Sequence, residues 1–172
     1  AEMHVKGKIY PLTRRYLKPY EHIYLWDLRF GLPDSIKVDQ VVKELNFKDM
    51  VPSSEPHQYF GKEYDIYFPK GSTFDTLFLF SKVQNDIYSI HNFVTPLAIP
   101  ITVTLKPTSI PKNKDKTHAY NVMLGGGLRF LGGDWDGDKF KFKTKAMGDF
   151  KLAIDTVGPR ISLFKKDSKH IM

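Results

Sequence analysis

The chain has no cysteine, which removes disulfide cross-links, thiolate nucleophiles and Cys-ligated zinc together while leaving the compartment open. No apolar run approaches the roughly 18 residues that a membrane span needs, and no charged-then-apolar leader opens the sequence. The chain begins on Ala1 rather than Met, which is the expectation for a processed or excised fragment. Among the six histidines, His4, His22, His57, His91, His118 and His170, no two form a His-x-His pair and none has Asp four residues downstream. There is no His-Glu-x-x-His, no Gly-x-Ser-x-Gly elbow, and Gly125-Gly126-Gly127 is not followed by Lys-Ser or Lys-Thr, so zinc-protease, serine-hydrolase and phosphate-loop chemistry all lack their motifs. Helical periodicity is thin as well. Its best candidate is Asp39 to Phe47, where Val41, Val42, Leu45 and Phe47 suggest about two amphipathic turns.

What is present is strand material. Aromatics make up 14% of the chain, with 13 Phe and 9 Tyr, and the 11 Pro and 12 Gly are spread along it rather than clustered. Bulky residues fit a pleated, half-buried surface, and scattered turn residues suit many short strands. The clearest stretch runs from Lys139 to Thr144, then past a Gly148-Asp149 break to Phe150 and Ile154, alternating strictly. Side chains two apart share one face of a strand. Further strands are expected at Val5–Tyr10, His22–Leu28, Tyr64–Phe68, Thr76–Lys82, Ile87–His91, Ile101–Leu105, Ala119–Leu124, Leu128–Leu131 and Ile161–Phe164. Asp136-Gly137 marks a hairpin between Leu128–Leu131 and Lys139–Phe142, since glycine accepts positive φ cheaply. Pro107 to Lys116 is a polar, exposed loop.

The fold class these signals imply is all-β, as tandem Ig-like β-sandwich modules. Residues 1–52 are the end of one module, 57–157 a complete sandwich, and 158–172 the first strand of a truncated third. The boundary falls in the Pro52-Ser53-Ser54-Glu55-Pro56 cluster. An N-terminal piece of about 50 residues is small for an independent sandwich, so completion by further chain is expected. The net charge of +7 sits at the ends: residues 1–20 carry +4 and residues 139–172 carry +6, leaving the middle acidic. Such a balance favours anionic partners, but no Gly-aromatic RNA motif or zinc-finger spacing accompanies it, so nucleic acid is not an expected partner.

Four phrases, in order, carry a resemblance. They are Tyr24-Leu25-Trp26-Asp27-Leu28-Arg29-Phe30-Gly31-Leu32-Pro33-Asp34-Ser35-Ile36; Tyr67-Phe68-Pro69-Lys70-Gly71-Ser72-Thr73-Phe74-Asp75-Thr76-Leu77; Ile90-His91-Asn92 with Thr95-Pro96-Leu97 and Pro100 to Pro107; and Trp135-Asp136-Gly137 through Gly148, Phe150, Ile154-Asp155-Thr156 and Pro159-Arg160-Ile161. Together they resemble the non-catalytic β region that follows the peptidase domain in large lysostaphin-like (LytM-type) zinc metallopeptidases of Bacteroidota. The resemblance implies an extracytoplasmic, periplasmic or outer-membrane-associated protein, with an envelope protein or peptidoglycan as partner. It implies zinc only in the parent protein. The chain itself lacks the His-x-x-x-Asp and His-x-His ligands that such a zinc site requires.

Several residues are candidates for chemistry of their own. Asp134, Asp136 and Asp138 put three carboxylates within five residues, a weak calcium candidate; no Glu and no flanking helices complete an EF-hand, and a turn capped by its own Asp side chains accounts for them better. Lys139, Lys141, Lys143 and Lys145 share a face that an anionic partner would suit, although an exposed strand face or a lysine-guarded edge is the commoner use. Trp135 beside the hairpin is a candidate for stacking on glycan, against hairpin packing. His91 with Asn92 reads as a strand-end hydrogen-bonding pair, and Asp27 with Arg29 as an ion pair across Leu28. The expected function is non-catalytic: an accessory region that positions a missing domain or docks to an envelope partner, with a glycan-binding module and a fragment of an active zinc endopeptidase as alternatives.

Overall fold

Strand pairing dominates the computed structural model, which describes residues 1–155. The only helical elements among them are two short 3-10 turns, Leu28–Phe30 and Lys114–Lys116. The N-terminal part contains β1 (Glu2–Val5), β2 (Lys8–Pro11), β3 (Arg14–Lys18), β4 (Glu21–Tyr24), β5 (Ser35–Val38) and β6 (Val41–Glu44). Four of these form an antiparallel sheet in the order β2-β1-β5-β6, and β3 pairs with β4 as a separate hairpin. Only Met3, Val5, Pro33 and Ser35 are buried there. A cluster of Tyr10, Trp26 and Phe30, with ring centroids 5.2 to 5.7 Å apart, pins the 3-10 turn against β2, and Trp26 Nε1 donates to the Gly31 carbonyl at 2.8 Å.

The remainder comprises β7 (Phe47–Val51), β8 (His57–Phe60), β9 (Tyr64–Phe68), β10 (Leu77–Gln84), β11 (Ile87–Ile90), β12 (Ile101–Leu105), β13 (Thr117–Val122), β14 (Leu128–Gly132), β15 (Asp134–Asp136), β16 (Lys139–Thr144) and β17 (Gly148–Ile154). They build a six-stranded sheet, β14-β13-β17-β11-β10-β7, and a five-stranded sheet, β15-β16-β12-β9-β8. Alternation supplies the core between them. Ile66, Phe68, Ile101, Val103, Leu105, Phe140 and Phe142 face inward from the smaller sheet, and Val51, Leu79, Tyr88, Ile90, Ala119 and Phe150 from the larger. Phe142 meets Phe150 across the gap at 5.4 Å and Tyr64 meets Tyr88 edge-on at 6.5 Å. Each such side chain contributes about 1.5–3 kcal/mol by leaving water.

The all-β expectation holds, and the strands at Tyr64–Phe68, Ile101–Leu105 and Lys139–Thr144 lie where the alternation puts them. Four local readings change. Asp39–Phe47 is not helical: β5 and β6 form a hairpin with Asp39 at φ 55, and β-branched Val41 and Val42 favour the extended chain. Val5–Tyr10 is two strands, because Lys6 and Gly7 both take positive φ and turn the chain back. The strand expected over His22–Leu28 stops at Tyr24. Asp136-Gly137 does sit at a hairpin, but β16 pairs there with β15, while β14 belongs to the other sheet. The chain crosses between sheets at Gly132-Gly133, where a Cβ on Gly133 would lie 2.5 Å from the Phe140 ring. The Ile161–Phe164 strand and the 158–172 module lie outside the described residues.

Candidate binding site

The register of the larger sheet brings three connections to one end of the sandwich. Ile90 pairs with Gly148 and Val122 with Asp149, so β11 ends, β13 ends and β17 begins side by side. A cleft of about 490 Å³ opens among these connections, lined by His91, Phe93, Asn121, Met123, Leu124 and Arg129 together with the start of β17.

Local sequence sets each wall. Asn92 Oδ1 accepts from the Thr95 amide at 2.9 Å and the Thr95 hydroxyl at 2.7 Å, closing an Asx-type turn that leaves Phe93 and Val94 exposed at its tip. Gly148 has φ +112, and a Cβ there would lie 3.1 Å from Phe93 Cβ, so the turn packs against backbone that only glycine supplies comfortably. The β13–β14 hairpin closes through Met123 N to the Gly127 carbonyl at 2.7 Å and Gly126 N to the Met123 carbonyl at 3.0 Å, exposing Leu124 at its tip. Asn121, buried at the cleft floor, donates from Nδ2 to the Asp149 carbonyl at 3.0 Å and ties β13 to β17. Thr144 Oγ1 bonds both the amide and the carbonyl of Ala146, bracing the third connection.

His91 sits at the inner edge of the cleft in a left-handed conformation, φ 55. Its ring lies 4.2 Å from that of Phe80, and its amide donates to the Phe80 carbonyl at 2.9 Å. The side chain is not the strand-end hydrogen bonder the sequence suggested: Nδ1 is buried with no partner among the described residues. Burial pushes the imidazole below its usual pKa, which keeps the ring neutral at neutral pH.

The other candidates are dispersed. Asp134 and Asp136 lie in register with Lys141 and Lys139 on the adjacent strand, and Asp138 is 3.6 Å from Lys114 Nζ in the turn. The three carboxylates therefore do not converge as calcium ligands, and no group of three His, Cys, Asp or Glu is arranged to hold a metal among the described residues. Lys139, Lys141 and Lys143 are exposed on one face of β16 with Phe140 and Phe142 buried behind them, and Lys145 follows the strand. β16 lies between β15 and β12, and β15 pairs with Lys139–Lys141, so Lys139 and Lys141 guard no edge, whereas Lys143 lies beyond the residues that β15 covers. Trp135 packs edge-on against Phe140 at 5.2 Å, donates Nε1 to the Lys114 carbonyl at 3.1 Å and carries Lys114 Nζ 5.1 Å from its ring centroid. Its stacking surface is engaged by the protein itself. Asp27 and Arg29 do pair, but as the cap and second residue of the 3-10 turn rather than along a strand. Bonds from the Arg29 side chain hold the Asp27 carboxyl down at about 2.

The sandwich itself has a family signature: the sequence pattern that defines the Zu5-like domain matches residues 48–155, more than half of the chain. The chain belongs to the Zu5-like domain family. None of the curated proteins matches it. The Zu5-like match begins inside β7 and ends just after β17, so it spans both sheets and all three walls of the cleft. The sequence pointed only to His91 and Asn92 of this site, because the rest is scattered over connections: Phe93, Met123, Leu124 and Arg129 form no motif. The available signals were Asn92 three residues before Thr95 and the apolar Met123-Leu124 pair leading into three glycines.

Proposed function

We propose that the chain is a non-catalytic docking region of a multidomain cell-envelope protein, and that its Zu5-like sandwich grips a partner protein with the loop end that forms the cleft. The observation that carries this reading is apolar exposure on braced connections: Phe93 is 59% exposed, Val94 69% and Leu124 78%. Covering each such side chain with a partner yields about 1.5–3 kcal/mol before association costs are subtracted. Arg129 lines the same cleft and makes no ion pair among the described residues. The fitting occupant is a protein segment with apolar side chains beside a carboxylate.

The envelope location rests on the resemblance of the four sequence phrases to the β region of lysostaphin-like metallopeptidases. In this reading the all-β chain is a run of Ig-like modules that positions a domain of the parent protein, and any zinc belongs to that domain. A glycan-binding role through Trp135 is less favoured, because Phe140 and Lys114 engage the indole.

The test is a Phe93→Asp, Leu124→Asp double variant of the full-length protein in its native host. It should melt like wild type, because both side chains are exposed, yet lose an envelope protein that co-purifies with wild type and that, as a purified pair, binds wild type directly. Undiminished binding of that partner would contradict the proposal.

A further inference from the structure

A second concavity, of about 570 Å³, lies on the far side of the sandwich, between β7 and β10 of the larger sheet and the β8–β9 turn of the smaller. Its polar lining includes Lys48, Lys62 and Lys82 with Tyr59, Tyr64 and Ser81. None of the three lysines makes an ion pair among the described residues, and Glu63 supplies the only carboxylate in the lining. This differs from the lysines of β16, two of which lie in register with aspartates.

Tyr64 OH donates to Ser81 Oγ, and the Tyr59 and Tyr64 rings lie 5.6 Å apart. Burial raises the pKa of both phenols, so both keep their protons. The wall is braced from behind. Lys106 Nζ donates to the Gly61 carbonyl at 2.8 Å and to Asp65 Oδ1 at 2.6 Å, and its amide donates to the Glu63 carbonyl at 2.8 Å. The turn that carries Lys62 is therefore fixed before any ligand arrives, which lowers the ordering cost of binding.

We infer that this cleft is a binding site for an acidic saccharide, whose carboxylate is received by the Lys48, Lys62 and Lys82 ammoniums and whose hydroxyls bond the Tyr59 hydroxyl. Three lysines without an ion-pair partner among the described residues, at a hollow that Tyr59, Tyr64 and Ser81 also line, suit an anion, and the exposed part of the Tyr59 ring offers a surface for a sugar face. The site is separate from the loop-end cleft, so the two proposals stand or fall independently.

The test is a calorimetric titration of the full chain with a galacturonic acid hexamer, a neutral glucose hexamer and inorganic phosphate as separate arms. The uronate hexamer should bind and the neutral hexamer should not. Lys62→Gln with Lys82→Gln should weaken uronate binding by roughly tenfold or more, as expected for lost charge-assisted bonds. Lys139→Gln with Lys141→Gln, which removes the same charge from the other face, should leave it unchanged. Tyr59→Phe should weaken it by a smaller factor. Equal weakening by the two lysine pairs would reduce the effect to bulk charge and overturn the site. Binding of phosphate without the uronate hexamer would overturn the saccharide assignment, and binding of neither would overturn the whole inference.

Discussion

Replacing Gly148 with alanine tests how the loop-end cleft is built. Two costs add at this position. At φ +112 an L-residue sits outside the regions its Cβ tolerates, which costs about 1–3 kcal/mol. The new methyl would also lie 3.1 Å from Phe93 Cβ, a separation at which one of the two chains must move, and forced overpacking adds about 1–3 kcal/mol where neighbours cannot yield. The Asx-type turn held by Asn92 limits that yielding. Together they predict a loss of about 2–6 kcal/mol in urea unfolding, read as a midpoint lowered by about 1–3 M for a slope near 2 kcal/mol/M. Gly137→Ala is the internal comparison: at φ +59 with nothing within 4 Å of its Cβ, it should cost only about 1–2 kcal/mol. If Gly148→Ala proves no more damaging than Gly137→Ala, the close approach of the Asn92–Thr95 turn to β17 is wrong.

Phe140 is fully buried between the sheets and also carries Trp135, so Phe140→Ala should cost about 3–5 kcal/mol in the same assay and quench or shift the tryptophan emission. Lys106→Met removes the partner of Asp65, whose side chain is only 15% exposed, and should cost about 1–3 kcal/mol. Adding Asp65→Asn to that variant should recover part of the loss. Arg29→Gln should raise the Asp27 carboxyl from about 2 towards 3.8 in an NMR titration. Because the folded value is the depressed one, the stabilisation from this pair is complete above about pH 4 and disappears as pH falls towards 2. His91 has the same sign in a higher pH window: burial disfavours the charged ring in the folded state, so stability should fall as pH drops below 6.5 and level off below the folded pKa. His91→Asn, which retains a residue tolerant of left-handed φ, should remove that slope.

The sandwich was legible where burial and alternation coincide. Ile101–Leu105 and Lys139–Thr144 are interior strands with one face wholly buried, and their bounds follow from the pattern alone. Legibility failed where that coincidence breaks. β3 and β6 are exposed along their whole length, so no face of either is marked by apolar residues. β15 is three residues long and pairs only with β16, which made β14 the natural but mistaken hairpin partner. The Asp39–Phe47 segment offered apolar residues at helix-like spacing, yet the left-handed Asp39 turned it into a hairpin. The sites were harder still. Both clefts are assembled from residues far apart in sequence, such as Asn92 with Arg129 and Lys48 with Lys82, so register had to be known before either could be seen. The residues that did form local clusters, Asp134 to Asp138 and Lys139 to Lys145, are in good part neighbours in register on adjacent strands.

Site-specific photocrosslinking in the native host addresses the docking claim most directly. A photoreactive amino acid is placed in the full-length protein at Phe93, at Leu124 or at Asn85, the last in the turn between β10 and β11 at the opposite end of the sandwich. The account predicts adducts to one and the same envelope protein from positions 93 and 124, with none to it from position 85. Adducts of equal yield from all three positions, or from position 85 alone, would contradict it.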